Sequence, residues 1–273
     1  MCLRDTEGRS SPGRFTLTLL RAQVLFLVVL LSAAHAGSEA SPNEPAGAPS
    51  AASPAPWLQV LDRYFASSTQ QQARARDTSM EVEIDARLPR MKREGSLRAV
   101  RQINPGGLIS YEDVRSAGDK MVNKDVIARF LAAETEASKG IRDRRGNPQS
   151  MAISPENYRF RQKALLTRDD CQIHIIQVTP KKNRLGLFKG EIWLDAVSGL
   201  PLRESGRLVK NPSVFLKKVD FVREYEILDG LAVPVRVESR VDTRLVGMAE
   251  LDIRYSNHSV ALTAQSQFCP LGW

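Results

Sequence analysis

The residues from Gly186 to Val241 alternate between apolar and polar side chains over four short runs. This pattern constrains the fold more than any other feature of the chain. In the first run, Phe188, Gly190, Ile192 and Leu194 alternate with Lys189, Glu191 and Trp193. Turns such as Ser198–Pro201 and Asp229-Gly230 separate the runs. A period of two between turns predicts strands with one covered face and one solvent-exposed face. The stretch therefore predicts four consecutive antiparallel strands, whose apolar face another part of the chain must cover.

The rest of the chain adds further strands and two amphipathic helices. Apolar residues recur at helical spacing over Pro56–Arg76 and Gly118–Ser138, and Asp119 stands at an N-cap position. The polar segment Ile141–Ser154 predicts a long exposed loop. Period-two alternation predicts additional strands at Ser79–Leu88, Gly95–Asn104, Leu108–Glu112, Tyr158–Leu166, Ile173–Thr179 and Met248–Tyr255. About ten to eleven strands with two helices predict an α+β fold built on one large antiparallel sheet.

The first 36 residues have the pattern of a secretory signal peptide. Arg14 and Arg21 give a positive segment before an apolar run over residues 24–31, and Ala34-His35-Ala36 matches a cleavage site. A membrane anchor is the alternative, but the run is shorter than the roughly 20 residues of a spanning helix. We therefore expect export with cleavage near Ala36 and a soluble mature chain. Residues 37–56 contain 17 Gly, Ala, Ser or Pro and predict a flexible linker. A single domain is expected over residues 57–273.

Net charge narrows the range of partners. The chain carries a net charge of +8, and its first 36 residues contain four Arg, one Asp and one Glu, so the mature chain keeps +6. A basic excess suits anionic lipid headgroups or nucleic acid. Because an exported protein rarely meets nucleic acid, we expect contact with an anionic membrane surface and none with nucleic acid. A basic surface without any partner is an equally good interpretation.

Two cysteines, Cys171 and Cys269, follow the expected cleavage site. In an oxidising compartment they could form a disulfide that ties the C-terminal segment to the rest of the domain. Two separate buried thiols are the alternative, since the sequence gives no distance between them. The disulfide is the favoured interpretation.

The sequence lacks the usual markers of an active site or a metal site. After the expected cleavage site it contains two histidines, His174 and His258, and neither accompanies a nucleophile motif. Motifs for zinc proteases, CxxC sites, calcium loops and phosphate loops do not occur. The alternating acids of Ser79–Leu88 fit the exposed face of a sheet better than a metal or acid–base site. We therefore expect a non-enzymatic protein with no catalytic residues, no metal and no cofactor.

Two helices are too few to cover the apolar faces of about ten strands. The uncovered part is then expected to form an apolar concavity, which is a natural site for an acyl chain. Each buried CH₂ contributes about 0.8 kcal/mol, so a long chain can be held without polar contacts. The alternative is a sheet that closes completely on its own helices and binds a protein partner or nothing.

The order of these segments resembles that of the LolA/LolB-like superfamily of periplasmic outer-membrane lipoprotein carriers, and more narrowly its lipoprotein-sorting branch. The resemblance covers Trp57 to Ser259 and is carried by GLFKGEIWLD, GLPLRESGRL, FVREYEILDGLAVP and ELDIRYSN. It implies an incomplete antiparallel β-barrel whose concave face is covered by a helical lid. It also implies a non-enzymatic periplasmic carrier of lipid or lipoprotein acyl chains for outer-membrane sorting, with an inner-membrane loading partner.

The resemblance, combined with the alternation, assigns residues to a cavity and to a lid. The cavity residues are expected to be Val82, Ile84, Leu88, Leu97, Phe221, Tyr225, Val235, Val237, Leu251 and Ile253. The lid residues are expected to be Leu61, Phe65, Ile127 and Phe130. The chain is longer than the simplest carriers and its turns are more basic. A periplasmic sensor or protein-interaction domain of the same fold, regulating envelope stress, is therefore the alternative function.

Overall fold

The computed structural model describes residues 55–142, 148–168, 171–211, 214–244 and 246–259. Twelve strands form within these residues. In chain order they are β1 (Thr78–Leu88), β2 (Arg93–Ile103), β3 (Ile109–Gly118), β4 (Ile141–Arg142), β5 (Pro148–Gln149), β6 (Tyr158–Arg168), β7 (Cys171–Pro180), β8 (Phe188–Asp195), β9 (Pro201–Leu208), β10 (Leu216–Leu228), β11 (Leu231–Thr243) and β12 (Met248–Ser256). Strands β4 and β5 pair with each other, and the other ten form one sheet.

The large sheet is antiparallel and open. Its order is β3-β2-β1-β12-β11-β10-β9-β8-β7-β6. One meander, β1 to β3, runs outward from the middle, and a second, β6 to β12, returns from the opposite edge to pair β12 with β1. In the described residues no pairing joins the two edge strands, β3 and β6. The predicted α+β fold is confirmed, and the open sheet agrees with an incomplete barrel.

Two long helices and one short 3-10 helix, Pro89–Met91, accompany the sheet in the described residues. Helix α1 spans Pro56–Arg74 and has a proline in its first turn, where the missing N–H of proline costs no hydrogen bond. Helix α2 covers residues 120–138 in three consecutive segments, an α-helical turn Lys120–Val122, a π-helical turn Asn123–Ile127 and an α-helix Ala128–Ser138. Within the described residues, no helix is both long enough and apolar enough to cross a membrane.

The two helices cover one face of the sheet. We call it the helix-covered face, and it carries Ile84, Leu97, Ile192, Phe221 and Ile253, which are at most 8% exposed. Side chains of both helices belong to the same apolar cluster as these residues. The opposite, outer face carries the charged residues of the alternation. The pattern of apolar and polar residues in the strands therefore places the core correctly.

Asp119 caps the first turn of α2, as the sequence predicts. Its Oδ1 atom accepts hydrogen bonds from the backbone N–H of Met121 at 2.9 Å and of Val122 at 3.0 Å. The carboxylate thus satisfies two of the backbone donors that a helix leaves unpaired at its N-terminus.

Asp119→Ala is expected to lower the free energy of unfolding by about 1 kcal/mol, because both donors lose their acceptor. Urea unfolding followed by circular dichroism measures the change. The matched control is Asp125→Ala, which removes only the ion pair with Arg129 on the same helix and is expected to cost about 0.3–0.5 kcal/mol. Equal losses in the two variants would contradict the capping role.

Some boundaries differ from the predicted ones. Strand β3 continues to Gly118 instead of ending at Glu112. Most of its residues are exposed at the sheet edge and lack the alternation that marks covered strands. The predicted loop Ile141–Ser154 contains the short strands β4 and β5. The predicted signal peptide and cleavage site, most of the linker, and Cys269 lie outside the described residues, so the domain boundaries stay a prediction.

Candidate functional site

The predicted cavity residues meet on the helix-covered face, and most of them are closed off from solvent. Val237 is partly buried against the main apolar cluster. Tyr225 and Val235 are half-buried, and Val235 is the extra residue of a bulge in β11. The other seven belong to the cluster and are at most 8% exposed: Val82, Ile84, Leu88, Leu97, Phe221, Leu251 and Ile253. A ligand on this face must therefore take the place of a helix.

The predicted lid residues provide the helix side of this cluster. Leu61 on α1 and Ile127 and Phe130 on α2 are 4%, 0% and 6% exposed. Phe65 packs against the cluster, and its ring centroid lies 5.3 Å from that of Phe160 on β6. The four side chains lie between helix and sheet, while their action as a movable lid stays a prediction.

Helix α1 is attached to the sheet by this apolar face and by a few polar contacts with turns. The contacts are Arg63 Nη2 to the Ala196 carbonyl at 2.6 Å, Gln71 Nε2 to the Gly230 carbonyl at 2.6 Å, and Arg74 Nη1 to the Asp229 carbonyl at 2.8 Å. All three acceptors are backbone oxygens in turns between strands. The Ala232 backbone N–H at the start of β11 also donates to Gln71 Oε1, at 2.8 Å. These polar contacts of α1 therefore lie at the ends of the strands.

Polar side chains also lie within the helix-covered face, and the first group surrounds Arg101. Arg101 on β2 donates from Nε and Nη2 to Glu134 Oε1 on α2, at 3.0 and 2.8 Å. The Tyr111 hydroxyl on β3 donates to the other carboxylate oxygen, Oε2. Arg101 is 5% exposed and Glu134 is 1% exposed. A sheet residue and a helix residue thus form a buried ion pair.

The second group surrounds Arg223. Its Nη1 lies 3.2 Å from Glu204 Oε2 on β9 and 3.3 Å from the Tyr225 hydroxyl on its own strand, β10. Glu204 is 4% exposed and Arg223 is 9% exposed. Tyr64 of α1 lies close enough for the Glu204 carboxylate to contribute to its raised pKa. Both charges of this second pair belong to the sheet.

Burial sets the protonation states of both groups. It raises the pKa of the Glu204 carboxyl, although Arg223 and Tyr225 oppose the shift. It also raises the pKa of the Tyr225 and Tyr255 hydroxyls. For Arg101, burial alone would lower the pKa, but the Glu134 carboxylate and Tyr255 together outweigh it and the pKa is raised. The tyrosines therefore stay neutral, and Arg101 stays charged.

The outer face explains the alternating acids of the sequence. They pair with arginines across neighbouring strands, as Arg236 does with Asp252 at 2.7 Å and Arg254 with Asp85 at 3.3 Å. A charged cleft lies here between β1, β12 and β11. Among the described residues, no three His, Cys, Asp or Glu side chains come together in a way that could hold a metal ion.

Both histidines of the described residues lie in settings where burial lowers their pKa. His174 is 4% exposed within β7, where its Nδ1 lies 3.4 Å from Gln162 Nε2, and burial lowers its pKa. Burial also lowers the pKa of His258 after β12. Both rings are therefore neutral at pH 7. Cys171 is disulfide-bonded, but its pairing with Cys269 stays a prediction, because Cys269 lies outside the described residues.

The buried charges are not among the predicted site residues, although the sequence carries a signal for them. Arg101 stands in the apolar register of β2, between Ala99 and Ile103. Arg223 stands between Phe221 and Tyr225 in the same way. A charged residue in a buried register requires a partner. The pattern therefore indicates that counter-ions exist, but not which residues they are.

Comparison with known proteins gives similarity at the level of structure. No protein-family model matches the sequence, and no curated protein matches it. Its structure is similar to several solved structures at low sequence identity. A LolA superfamily protein from Nitrosomonas europaea is 12% identical, with a TM-score of 0.36, over 74% of this chain and 91% of that one.

Two further solved structures are similar in the same way. A DUF1329 family protein from Desulfovibrio piger is 14% identical, with a TM-score of 0.38, over 76% of this chain and 95% of the other. A domain from Vibrio parahaemolyticus that is named an outer membrane lipoprotein-sorting protein is 11% identical, with a TM-score of 0.37, over 74% of this chain and 94% of that one. The first and third of these three proteins carry the names of the family that the sequence resembles. The similarity is one of structure alone.

Proposed function

We propose that this chain is a non-enzymatic periplasmic carrier for outer-membrane sorting, which binds the acyl chain of a lipid or lipoprotein between its sheet and its helices. The observation that carries the proposal is the apolar helix-covered face of an open sheet. In the described residues, α1, α2 and the segment that carries Met151 and Ile153 pack on this face. The export pattern of residues 1–36 supports the periplasmic location.

An acyl chain can compete with a helix for this face. Helix α1 buries Val60, Leu61 and Tyr64, and burial of an apolar side chain of this size contributes about 1.5–3 kcal/mol. At about 0.8 kcal/mol per CH₂, a chain of about 16 carbons contributes on the order of 10 kcal/mol when buried. The two quantities are comparable, so exchange of helix for acyl chain needs no chemical energy source.

The edges of the sheet supply a route for entry. Val114 on the edge strand β3 is 52% exposed, and Leu165 on the edge strand β6 is 46% exposed. By the pairing register, Leu165 stands opposite His174, on the side of the helix-covered face. Exposed apolar side chains beside an open edge favour first contact with an acyl chain.

The distribution of charge supports docking on an anionic membrane surface. Residues 158–211, which include β6 to β9, contain eleven Lys or Arg and five Asp or Glu, whereas residues 214–259 contain seven and eight. The basic excess is therefore concentrated in one half of the sheet. Basic residues attract anionic headgroups at short range. A loading partner in the inner membrane would bring the acyl chain to this half.

Native mass spectrometry of protein purified from its own envelope, together with binding of a fluorescent fatty acid, tests the proposal. Phe221→Asp and Val237→Asp place a charge on the helix-covered face and are expected to weaken fatty acid binding at least tenfold, by about 1.4 kcal/mol or more. The matched control is Val222→Asp, next to Phe221 but on the outer face, opposite Glu238 and Ser205. It is expected to bind like the wild type.

Circular dichroism checks that each variant is folded before binding is compared. Co-purified lipid or lipoprotein supports the carrier. A wild-type protein that purifies without lipid and does not bind the fatty acid refutes it and favours the sensor alternative. Equal binding by all three variants refutes the placement of the acyl chain on the helix-covered face.

A further inference from the structure

The carboxylate of Glu134 occupies a site that the sheet builds. Three donors converge on it: Arg101 Nε and Nη2, which reach Oε1 at 3.0 and 2.8 Å, and the Tyr111 hydroxyl, which reaches Oε2. The donors belong to β2 and β3, while the acceptor belongs to α2. The sheet therefore has a preformed cradle for one carboxylate, and the helix fills it.

We infer that this cradle binds the anionic group of the ligand, a carboxylate or a phosphate, when α2 is displaced. The inference rests on the proposed function, in which the acyl chain enters between sheet and helices. It adds the chemical class of the ligand: an acyl chain that ends in an anion. The headgroup then takes the place of Glu134, and the acyl chain lies along the apolar face beside it.

The reason is the charge that remains when Glu134 leaves. Arg101 is 5% exposed and is always protonated. Its other neighbours are the Met80 sulfur, 3.9 Å from Nη1, and the Tyr255 ring, whose centroid is 5.9 Å from Cζ. Neither neighbour neutralises a full positive charge. A neutral ligand that displaced α2 would leave Arg101 without its counter-ion, and breaking a buried pair in this way is strongly unfavourable.

The second buried pair does not have this property. Arg223 and Glu204 lie on the adjacent strands β10 and β9, where they occupy directly opposed positions. Movement of either helix leaves their ion pair intact. Of these two groups, the cradle at Arg101 is therefore the one that becomes exposed when a helix is displaced.

The irregular structure of α2 favours its displacement. Its second turn, Asn123–Ile127, is π-helical, and π-helical turns frequently occur at functional sites. The Asn123 Oδ1 atom is buried and has no hydrogen-bond partner among the described residues. Such a buried acceptor destabilises the docked position of this end of the helix. The N-terminal part of α2, which precedes Glu134, thus contains an unsatisfied hydrogen-bond acceptor when the helix is docked on the sheet.

Isothermal titration of delipidated protein with three ligands of equal chain length tests the inference. Laurate and dodecyl phosphate are expected to bind at least about tenfold more tightly than dodecanol, because a hydrogen-bonded charge pair contributes about that factor to the binding affinity. The ratio of laurate to dodecyl phosphate affinity distinguishes a fatty acid headgroup from a phospholipid phosphate. Inorganic phosphate alone is expected not to bind, since it cannot displace α2.

Variants of the cradle sharpen the test. Arg101→Gln is expected to reduce the preference for laurate over dodecanol to about one, whereas Arg98→Gln, an exposed position on the same strand, is expected to keep it. Glu134→Gln removes the competing carboxylate and is expected to tighten laurate binding severalfold, whereas Glu136→Gln on the same helix is not. If Arg101→Gln does not fold, the laurate affinities of Glu134→Gln and Glu136→Gln decide whether the cradle binds the headgroup.

The possible failures are distinguishable. If dodecanol binds the wild type as tightly as laurate, the anion cradle is refuted while the carrier function stands. If Glu134→Gln leaves laurate affinity unchanged, the headgroup binds elsewhere and the inference is also refuted. If none of the three ligands binds, both the carrier function and the cradle are refuted.

Discussion

Arg101→Met is expected to lower the free energy of unfolding by about 3–5 kcal/mol, because it leaves the Glu134 carboxylate buried without its counter-ion. Glu134 is 1% exposed and would retain only the hydrogen bond from Tyr111. This loss is a large fraction of the 5–15 kcal/mol, roughly, that stabilises a typical folded domain. Chemical denaturation followed by tryptophan fluorescence and circular dichroism measures it.

The double variant Arg101→Met/Glu134→Met separates loss of the pair from loss of packing. Replacing both charges by apolar side chains of similar length removes the uncompensated charge, so it is expected to recover at least about half of the lost stability. Arg98→Met is the matched control on the same strand, where the arginine pairs with Glu83 at the surface and its loss is expected to be small. If the double variant is as unstable as Arg101→Met, the stability comes from packing of the Arg101 side chain and not from the ion pair.

Most of the sheet follows from local pattern. Apolar Phe188, Ile192 and Leu194 occupy alternate positions, which requires a strand with one covered face. Asp195 accepts hydrogen bonds from the backbone and side chain of Ser198 in the turn that follows, which is the short-range chemistry expected for turn residues. These features depend on neighbours within a few positions, so the sequence contains them in full. Strand β3 is predicted poorly because it lies at an edge, where no buried face imposes an alternation.

The buried ion pair depends on distance in space, which the pattern does not contain. Arg101 and Glu134 are 33 positions apart and lie on a strand and a helix. Glu134 also stands in the buried register of α2, four positions after Phe130, so its carboxylate is as unexpected in its helix as Arg101 is in its strand. Each residue signals a missing partner, but many opposite charges in the chain could satisfy it. Only the docking of α2 on β2 and β3 selects the pair.

The cavity residues show a second limit of the sequence. Alternation identifies the face on which Ile84, Leu251 and Ile253 lie, and all three are buried there. The alternation does not distinguish a sheet face that is uncovered from one that helices cover, because both require the same apolar residues. In this structure Leu61 and Ile127 belong to the same cluster. In the proposed function, binding is therefore an exchange of a helix for a ligand.

Close approach of two strands beneath the aromatic part of the core makes Gly190 sensitive to substitution. Gly190 on β8 pairs with Gly206 on β9. A Cβ atom at Gly190 would lie 2.6 Å from the Cα of Gly206 and closer still to the carbonyl oxygen of Ser205. Both atoms belong to the backbone, so neither can move without shifting a strand. The rings of Phe188 and Phe221, with centroids 5.0 Å apart, pack next to this glycine pair.

Gly190→Ala is accordingly expected to lower the free energy of unfolding by about 3 kcal/mol, because the sheet must separate β8 from β9 to admit one methyl group. Urea unfolding measures the loss, and near-ultraviolet circular dichroism reports on the aromatic packing. Gly106→Ala is the matched control, since its Cβ would meet only the Asn104 side chain, at 3.2 Å, in an exposed turn, and a change below about 1 kcal/mol is expected. Similar stability of the two variants would show that β8 and β9 tolerate the extra methyl group and that the close approach does not constrain this part of the sheet.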